Sequence, residues 1–330
     1  MTTPTSTAKH SAAPLQPQAV SGSGPKRKTA LSRALSRYNA PFAGLLFISP
    51  WLVGFLLLQL WPILQSLYLS FTEYNLLDPA RWTGWKNFRQ ISQDRLFYNS
   101  LKVTFTYVLT SVPLKLAAAL FIAMLLNRAV RGIAVYRTII YLPSLIGGSL
   151  AVAVLWRNIF GLDGFVNQIT PLFGIAPKNW IGVPETALGT LVILTVWQFG
   201  SAMIIFLAGL KQIPGELYEA TAVDGASKVR QFFAITLPML SPVILFNLIM
   251  GVISSFQMFT SAFIITNGGP MNSTDVYALF LYKKAFGTFE MGYASALAWI
   301  LLALVAAVTS LNFVLSKYWV FYESEGGAAK

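Results

Sequence analysis

Cysteine is absent from the 330-residue sequence, and histidine occurs once, as His10. Without cysteine the chain can form neither a disulfide nor a thiolate metal site. Charged residues are scarce as well, at 11% of the chain, whereas soluble domains carry about a quarter. We therefore expect no metal site, no cofactor, and a chain unlike an ordinary soluble domain.

Acidic residues are missing from every long apolar run of the sequence. Secondary transporters commonly couple transport to ions through carboxylates within the membrane, so this absence argues against transport powered by the chain alone. The runs also lack cysteine and histidine, and Ser or Thr without a partner base are ordinary helix-packing residues. No G-x-x-x-x-G-K-[ST] phosphate-binding loop occurs in the chain. We expect no catalytic residues, and any ATP to be hydrolysed by another chain.

Hydrophobic residues make up 55% of the sequence and are gathered into long runs with little charge. About 20 residues suffice to cross the hydrocarbon of a bilayer. Six runs reach about that length, near residues 42–70, 100–126, 138–156, 187–209, 241–263 and 292–316. The sequence therefore predicts an all-α polytopic membrane protein with six transmembrane helices.

The net charge of +12 comes from Lys and Arg spread over the tails and the loops between runs. Membrane topology explains this placement better than a nucleic-acid partner does. Six spans put both termini on one side, which holds 14 of the 24 Lys and Arg, against eight on the other. We expect that side to be the cytoplasm. Residues 1–37 would then form a disordered basic cytoplasmic tail, 38–322 the transmembrane domain and 323–330 a short cytoplasmic tail.

The segment Leu217–Pro242 is a polar, turn-containing stretch between the fourth and fifth runs. Pro214 fits the first position of a helix, and Gly225 fits the turn that ends it. Ser227 suits the cap of a second short helix that extends through Phe233. The pattern predicts a bent pair of short helices that lies outside the hydrocarbon.

This segment also carries the pattern Glu-Ala-x-Ala, then Gly six residues after the Glu, then Ile-x-Leu-Pro. The matching residues are Glu219, Ala220, Ala222, Asp224, Gly225, Ile235, Leu237 and Pro238. They resemble the cytoplasmic signature loop of permease subunits in binding-protein-dependent ATP-binding-cassette importers. Thr221 stands where the family often has a third Ala. The alternative is an ordinary amphipathic surface loop.

In that family the loop is a coupling helix that docks in a groove on the ATPase subunit. The resemblance implies an ATPase-coupling role for Glu219, Ala220, Thr221, Ala222, Val223, Asp224, Gly225, Leu237 and Pro238. It further implies a multi-pass protein of the bacterial inner membrane. Its expected partners are a second permease in a heterodimer, two ATPase subunits, an extracytoplasmic solute-binding protein and the lipid bilayer.

Shorter motifs extend the resemblance over about residues 42–322. They are Gly84–Phe88 after the first run, Tyr141–Pro143 in the third, Asn267–Pro270 after the fifth and Gly292–Trp299 in the sixth. Together they are similar to the sugar and oligosaccharide (maltose-type) branch of these importers, in particular to the first of its two permease subunits.

A sugar path needs hydrogen-bonding side chains and aromatic faces on the inner sides of the spans. The fourth and fifth runs offer Trp197, Gln198, Ser201, Asn247, Gly251, Ser254, Ser255 and Met258. Spacings of three and four place most of the fifth-run residues along one helix stripe. In related permeases the equivalent portions contact substrate, so we predict a substrate path here. The alternative is that small polar residues only permit close helix contact.

Lys115 lies about twelve residues before the basic end of the second run, ~18 Å along a helix and near mid-membrane. A lysine there costs at least ~2.5 kcal/mol unless it reaches water, a partner or the interface. No acid in the predicted spans of this chain can pair with it. We expect it to face the aqueous cavity, as part of the substrate path, or an acid on the second permease. Snorkelling around Pro113 is the alternative.

Other transport functions remain open from the sequence. The same class of machine could carry a polyol or glycerol phosphate, and an anionic solute would give Lys115 a partner. A secondary transporter or a passive channel would need no separate ATPase.

Overall fold

The structure is a computed structural model that describes residues 45–127 and 132–321. Both predicted tails lie outside these residues, as do Arg128 and Arg131 after the second run, so the tail boundaries remain predictions. The described residues divide into two compact units, with the division between Pro62 and Ile63.

Most of the described residues are helical. In chain order the first helices are α1 (Leu45–Ser70), α2 (Lys86–Gln93), α3 (Arg95–Leu126), α4 (Ile133–Ile146), α5 (Leu150–Ile159) and α6 (Phe165–Ile169). They are followed by α7 (Pro184–Trp197), α8 (Gly200–Leu210), α9 (Gly215–Val223), α10 (Lys228–Met239), α11 (Ser241–Phe256), α12 (Tyr277–Tyr282) and α13 (Met291–Ser316). Two short strands, β1 (Thr72–Glu73) and β2 (Arg81–Trp82), pair antiparallel with Thr72 opposite Trp82.

Helices α1, α3 and α13 are each long and apolar enough to cross a membrane. Three bent pairs reach the same length together, which gives six spans if each pair counts as one. The all-α, six-span prediction is confirmed at this level. The sixth span matches its predicted range within one residue, whereas α3 begins five residues earlier than predicted.

The third predicted span, near residues 138–156, consists of two helices separated by a sharp bend. Helices α4 and α5 meet at 96°, and Gly147, Gly148 and Ser149 occupy the break. Glycine lowers the preference for helix, and the Ser149 hydroxyl accepts a hydrogen bond from the Val152 amide, as a cap that starts α5. The residues at the break therefore end one helix and start another, although the run as a whole is apolar.

The fourth and fifth spans are also broken. Helices α7 and α8 bend by 43° at Gln198 and Phe199, and α10 and α11 bend by 66° at Leu240. Leu240 lies between Pro238 and Pro242, and proline removes a helical hydrogen bond donor. Helix α11 ends at Phe256, so the predicted span to residue 263 is too long as a regular helix.

Helix α3 is the central element of the second unit and packs against α7, α8, α11 and α12. Ala119 and Ala123, both fully buried, let α8 approach closely, where Met203 and Phe206 cover them. A second apolar cluster forms around Tyr107 and Phe256 between α3, α7 and α11. These contacts fix the relative positions of the three helices that surround the site below.

The loops between α1 and α3 pack against the start of α13. The buried Asn87 amide donates hydrogen bonds to the carbonyls of Ser70 and Thr72 (2.9 and 2.8 Å). The Tyr293 hydroxyl donates to the Asp94 carboxylate (2.8 Å). The motif around Gly84–Phe88 therefore anchors a loop to the helical body.

Candidate functional site: a polar cavity and an exposed helical loop

A cavity of about 460 Å³ opens between α3, the α7–α8 pair and α11. Eight of the nine predicted substrate-path residues line it. They are Lys115, Gln198, Ser201, Asn247, Gly251, Ser254, Ser255 and Met258. The fold thus gathers residues from three separate spans around one space.

Helix α11 supplies most of the polar lining. The Asn247 amide nitrogen donates to the Val243 carbonyl (3.0 Å), and the Ser254 hydroxyl donates to the Met250 carbonyl (2.8 Å). Their acceptor oxygens are left for a solute or water. A Cβ placed on Gly251 would lie 3.2 Å from Val112 on α3, so this glycine also permits close helix contact. Close helix contact therefore occurs on the same stripe that carries the polar lining, and contact with a solute stays a prediction.

Gln198 lies at the break between α7 and α8 and joins it to the break in the preceding span. Its amide nitrogen donates to the Gly147 carbonyl (3.1 Å). A Cβ on Gly147 would collide with the Gln198 side chain, so glycine is required for this contact. Gln198 lines the cavity as well, and its side chain connects the cavity wall to the α4–α5 junction.

Trp197 is the predicted path residue that the cavity lining does not include. It ends α7, just before the bend, and its ring packs against Trp156 with 5.7 Å between centroids. The backbone of the next residue, Gln198, is already non-helical, so the two adjacent side chains lie in different surroundings. Trp197 therefore packs against Trp156 and is not part of this lining, and its place in the substrate path stays a prediction.

Sequence reasoning missed Tyr107 and Thr195, whose hydroxyl groups hydrogen-bond to each other beside the cavity. A signal was present, because Tyr107, Ser111 and Lys115 follow each other at spacings of four on α3 and share one face. Further apolar lining comes mainly from Phe246, Met250 and Ile205.

Lys115 is half-buried and is the single charged residue among those that line the cavity. Within the described part of the chain, its ammonium group has neither a hydrogen-bond partner nor a salt-bridge partner at the distances expected for one. The lining contains no carboxylate. Among the described residues, Lys115 therefore lies in a cavity lined by hydroxyl and amide groups and has no acidic partner there.

The loop that bears the signature pattern consists of α9, a turn and α10. Gly225 has φ +76°, its amide bonds the Ala222 carbonyl (3.1 Å), and the Ala226 amide bonds the Thr221 carbonyl (3.0 Å). This is the Schellman geometry that ends helices at glycine. The Ser227 hydroxyl caps α10 by accepting from the Arg230 amide (3.3 Å). The predicted turn and cap are both present.

Two details of the loop differ from the prediction. Pro214 precedes α9 as its cap residue with an extended backbone (ψ 132°), rather than occupying the first helical position. The second helix continues past Phe233 to Met239, because a π-helical stretch over Phe232–Thr236 extends α10. Proline near the end of a helix is tolerated where a bend follows, as it does here at Leu240.

Hydrogen bonds fix the two limbs of the loop to each other. The buried Gln231 side chain donates to the Tyr218 carbonyl (3.2 Å) and the Thr221 hydroxyl (3.3 Å). The hydroxyls of Tyr218 and Thr236 are 2.9 Å apart. Buried Ile235 joins the apolar cluster under the loop. The loop is therefore a rigid unit attached to the helical body.

The outward side of the loop is exposed although it contains apolar residues. Val223, Val229 and Phe233 have exposed fractions of 89%, 68% and 62%. Four other residues of the predicted coupling set are also exposed: Glu219, Ala220, Ala222 and Asp224. Three more are half-buried: Thr221, Leu237 and Pro238.

Among the described residues, no group of three or more His, Cys, Asp or Glu side chains is placed to hold a metal ion.

The sequence matches the family model described as binding-protein-dependent transport system inner membrane component, over residues 104–318. The chain belongs to this family. The matched region contains both the cavity and the α9–α10 loop. Members of this family are membrane components of transport systems and not enzymes. The chain is accordingly a multi-pass membrane permease.

Two relatives show how far the similarity extends. A probable ABC transporter permease protein, YesP, from Bacillus subtilis (strain 168) is 52% identical over 298 residues, which cover 89% of this chain and 96% of YesP. A probable starch degradation products transport system permease protein, AmyD, from Thermoanaerobacterium thermosulfurigenes is 31% identical, over 82% of this chain and 93% of AmyD.

The fold also matches a solved structure. A chain of a bacterial alginate ABC transporter, in complex with an alginate pentasaccharide-bound periplasmic protein, superposes with a TM-score of 0.72 at 21% identity. The match covers 86% of this chain and 95% of that chain. At this identity the comparison shows the permease fold.

Proposed function

We propose that this chain is one of two permease subunits of an ATP-driven importer and forms half of the translocation path for a sugar or oligosaccharide. The loop around Glu219–Gly225 couples it to a separate ATPase. The observation that carries the proposal is the polar cavity between α3, α8 and α11, in a chain that belongs to a family of transport components.

The cavity suits a hydroxyl-rich solute. At about 460 Å³ it lies within the ~300–1,000 Å³ range of small-molecule sites. Gln198, Ser201 and Asn247 offer amide and hydroxyl groups, and Met258 and Phe246 offer apolar surface. Saccharides present both polar hydroxyl edges and apolar ring faces. The names of several relatives support the same class, since one concerns starch degradation products and another lactose.

The α9–α10 loop suits a docking role. Its exposed apolar residues Val223, Val229 and Phe233 would be unfavourable facing water without a partner. The Schellman turn and the Gln231 hydrogen bonds hold their positions. A rigid loop of this kind transmits a displacement of its partner to α8 and α11, which border the cavity. The sequence lacks a phosphate-binding loop, so the partner supplies ATP hydrolysis.

The proposed machine contains two permeases, two ATPases and an extracytoplasmic solute-binding protein in a bacterial inner membrane. Both termini and the α9–α10 loop face the cytoplasm, in keeping with the excess of Lys and Arg on that side. The tail and domain boundaries at residues 37 and 322 belong to this proposal. The alginate transporter, solved with its periplasmic protein, supports the binding-protein partner by analogy.

A polyol or glycerol phosphate is the second candidate for the solute, and Lys115 in the cavity is the observation that favours an anionic member of that class. A self-powered secondary transporter is disfavoured, because the span helices α1, α3, α8, α11 and α13 contain no acidic residue to carry an ion.

Co-purification tests the proposal. The full chain, tagged and expressed in its native host, is extracted in mild detergent, and the proteins that accompany it are identified by mass spectrometry. We expect an ATPase subunit and a second six-span permease in amounts comparable to this chain. An unrelated multi-pass protein with the same tag serves as the control. Recovery of this chain alone, under conditions that keep other complexes intact, would contradict the proposal.

A further inference from the structure

The packing of this chain does not explain why a lysine is present at position 115, Lys115. It lies within α3, eleven residues before the helix ends at Leu126, or ~16 Å along the axis. Its side chain lines the cavity together with Asn247, Ser254 and Ser255. A lysine that only needed to reach the membrane surface would instead direct its side chain along the helix toward the end.

The helices around the cavity provide no partner for this charge. Helices α3, α8 and α11 contain no Asp or Glu at all. Helix α7 contains one, Glu185, ten residues before the cavity residue Thr195 and therefore ~15 Å away along the axis. In the part of the chain that the structure describes, the three salt bridges involve Lys86, Lys283 and Lys284.

The other lining groups show what kind of molecule would accompany an anion here. Amide groups of Gln198 and Asn247 and hydroxyl groups of Ser201, Ser254 and Ser255 line the same cavity as Lys115. A free inorganic anion would not use so many donors and acceptors spread over two helices. A hydroxyl-rich molecule with one anionic group would engage both the polar lining and the charge.

We propose that the transported solute is an acidic saccharide whose anionic group contacts Lys115 during passage through the cavity. This inference rests on the proposed importer function and specifies its substrate class. A carboxylate of a uronic acid, a phosphate ester and a sulfate ester share the required chemistry. Lys115 acts as a specificity-determining residue, since a neutral saccharide would leave its charge uncompensated.

The test measures uptake by the complete importer, purified through a tag on this chain and placed in proteoliposomes with ATP inside. An extract of extracytoplasmic proteins from the same cells supplies the solute-binding protein. Three oligosaccharide fractions of equal concentration are offered: neutral, uronic acid-bearing, and phosphate- or sulfate-bearing. Mass spectrometry of the vesicle contents identifies what has entered.

We expect ATP-dependent uptake of one of the acidic fractions at least about tenfold above the neutral one, and which acidic fraction enters identifies the anionic group. Lys115→Gln should lower that uptake at least about tenfold, because an anion then passes without its countercharge. Lys115→Arg should retain most of it by preserving the charge. Lys102→Gln is the matched control, since Lys102 lies exposed on the same helix and outside the cavity, and it should transport as the native chain does.

Preferred uptake of the neutral fraction would overturn the inference, and so would native acidic uptake in Lys115→Gln. Loss of the second permease from the purified Lys115→Gln complex would also overturn it, by showing that Lys115 pairs with an acid on that subunit. An assembled importer that takes up no fraction contradicts the acidic-saccharide assignment alone. A different result would contradict the proposed importer function itself, namely that no ATPase is present in the purified complex.

Discussion

Gly225 shows how one residue sets the shape of the proposed coupling loop. Its φ of +76° lies in the left-handed region, and a Cβ at this position would meet no atom within 4 Å. Space is therefore available, and the constraint comes from the backbone conformation. A residue other than glycine in this conformation costs about 1–2 kcal/mol. The turn ends α9 and leads the chain into α10.

Gly225→Ala should lower ATPase co-purification and ATP-driven uptake several-fold, because the strained turn shifts Val223 and Asp224 while the buried helices are unaffected. The amount of chain recovered and its thermal unfolding should stay close to native. Gly215→Ala is the control on the same helix, where φ is helical and a Cβ again meets nothing. It should co-purify the ATPase at the native level. Equal behaviour of the two variants would refute a special role for the turn.

At the residue level, the sequence predicts which side chains lie together where a regular helix carries them. Asn247, Gly251 and Ser255 were placed on one stripe by spacing alone, and they share the cavity lining. Trp197 is not part of this lining, because the bend begins at the next residue and helical spacing no longer applies there. The contact between Gln198 and Gly147 joins residues 51 positions apart, and no local pattern encodes it.

The bent helix pairs are the elements that the sequence predicted least well. A hydropathy window averages over residues such as Gly147–Ser149, so a break of three residues vanishes within an apolar run. The glycine pair was visible in the sequence but does not specify a 96° angle. That angle depends on packing, since Gly200 of α8 lies against α4, where a Cβ would come within 2.6 Å of the Ser144 hydroxyl and 3.1 Å of the Tyr141 backbone.

Gly200→Ala should therefore destabilise the α4–α8 contact, by about 1–3 kcal/mol as expected for overpacking. We expect a lower midpoint of thermal unfolding for the purified complex and reduced uptake. The matched control is Gly189→Ala in α7, which is exposed and has no atom within 4 Å of a new Cβ. Its unfolding midpoint should equal or exceed that of the native complex. A reversed order of the two midpoints would contradict the packing described for α8.

At the scale of the whole molecule, the chain crosses the membrane six times. Because this number is even, both termini lie on one side, and the loops between spans alternate between the two sides. The span count and helical class were predictable because ~20-residue apolar runs leave few structural alternatives in a bilayer. Orientation rests on charge alone, with 14 Lys and Arg on one side and eight on the other. It is therefore the part of the topology that most needs an experiment.

The absence of cysteine makes that experiment simple, because any cysteine introduced is the single reactive thiol of this chain. Leu172→Cys lies between α6 and α7 and Val223→Cys in α9, at exposed positions of 81% and 89%. In intact spheroplasts, a membrane-impermeant maleimide should label Leu172→Cys and leave Val223→Cys unlabelled until the membrane is opened. The opposite pattern would invert the proposed topology.

The most direct test of ATPase coupling through the α9–α10 loop is photo-cross-linking in the native membrane. A photoreactive amino acid is incorporated at Val223, or at Leu172 as a control of similar exposure. We predict that irradiation links the Val223 variant to an ATPase subunit, identified by mass spectrometry, and that the Leu172 variant gives no such product. If Val223 forms no ATPase adduct while the ATPase still co-purifies with the chain, coupling takes place elsewhere and the role proposed for Glu219–Gly225 is wrong.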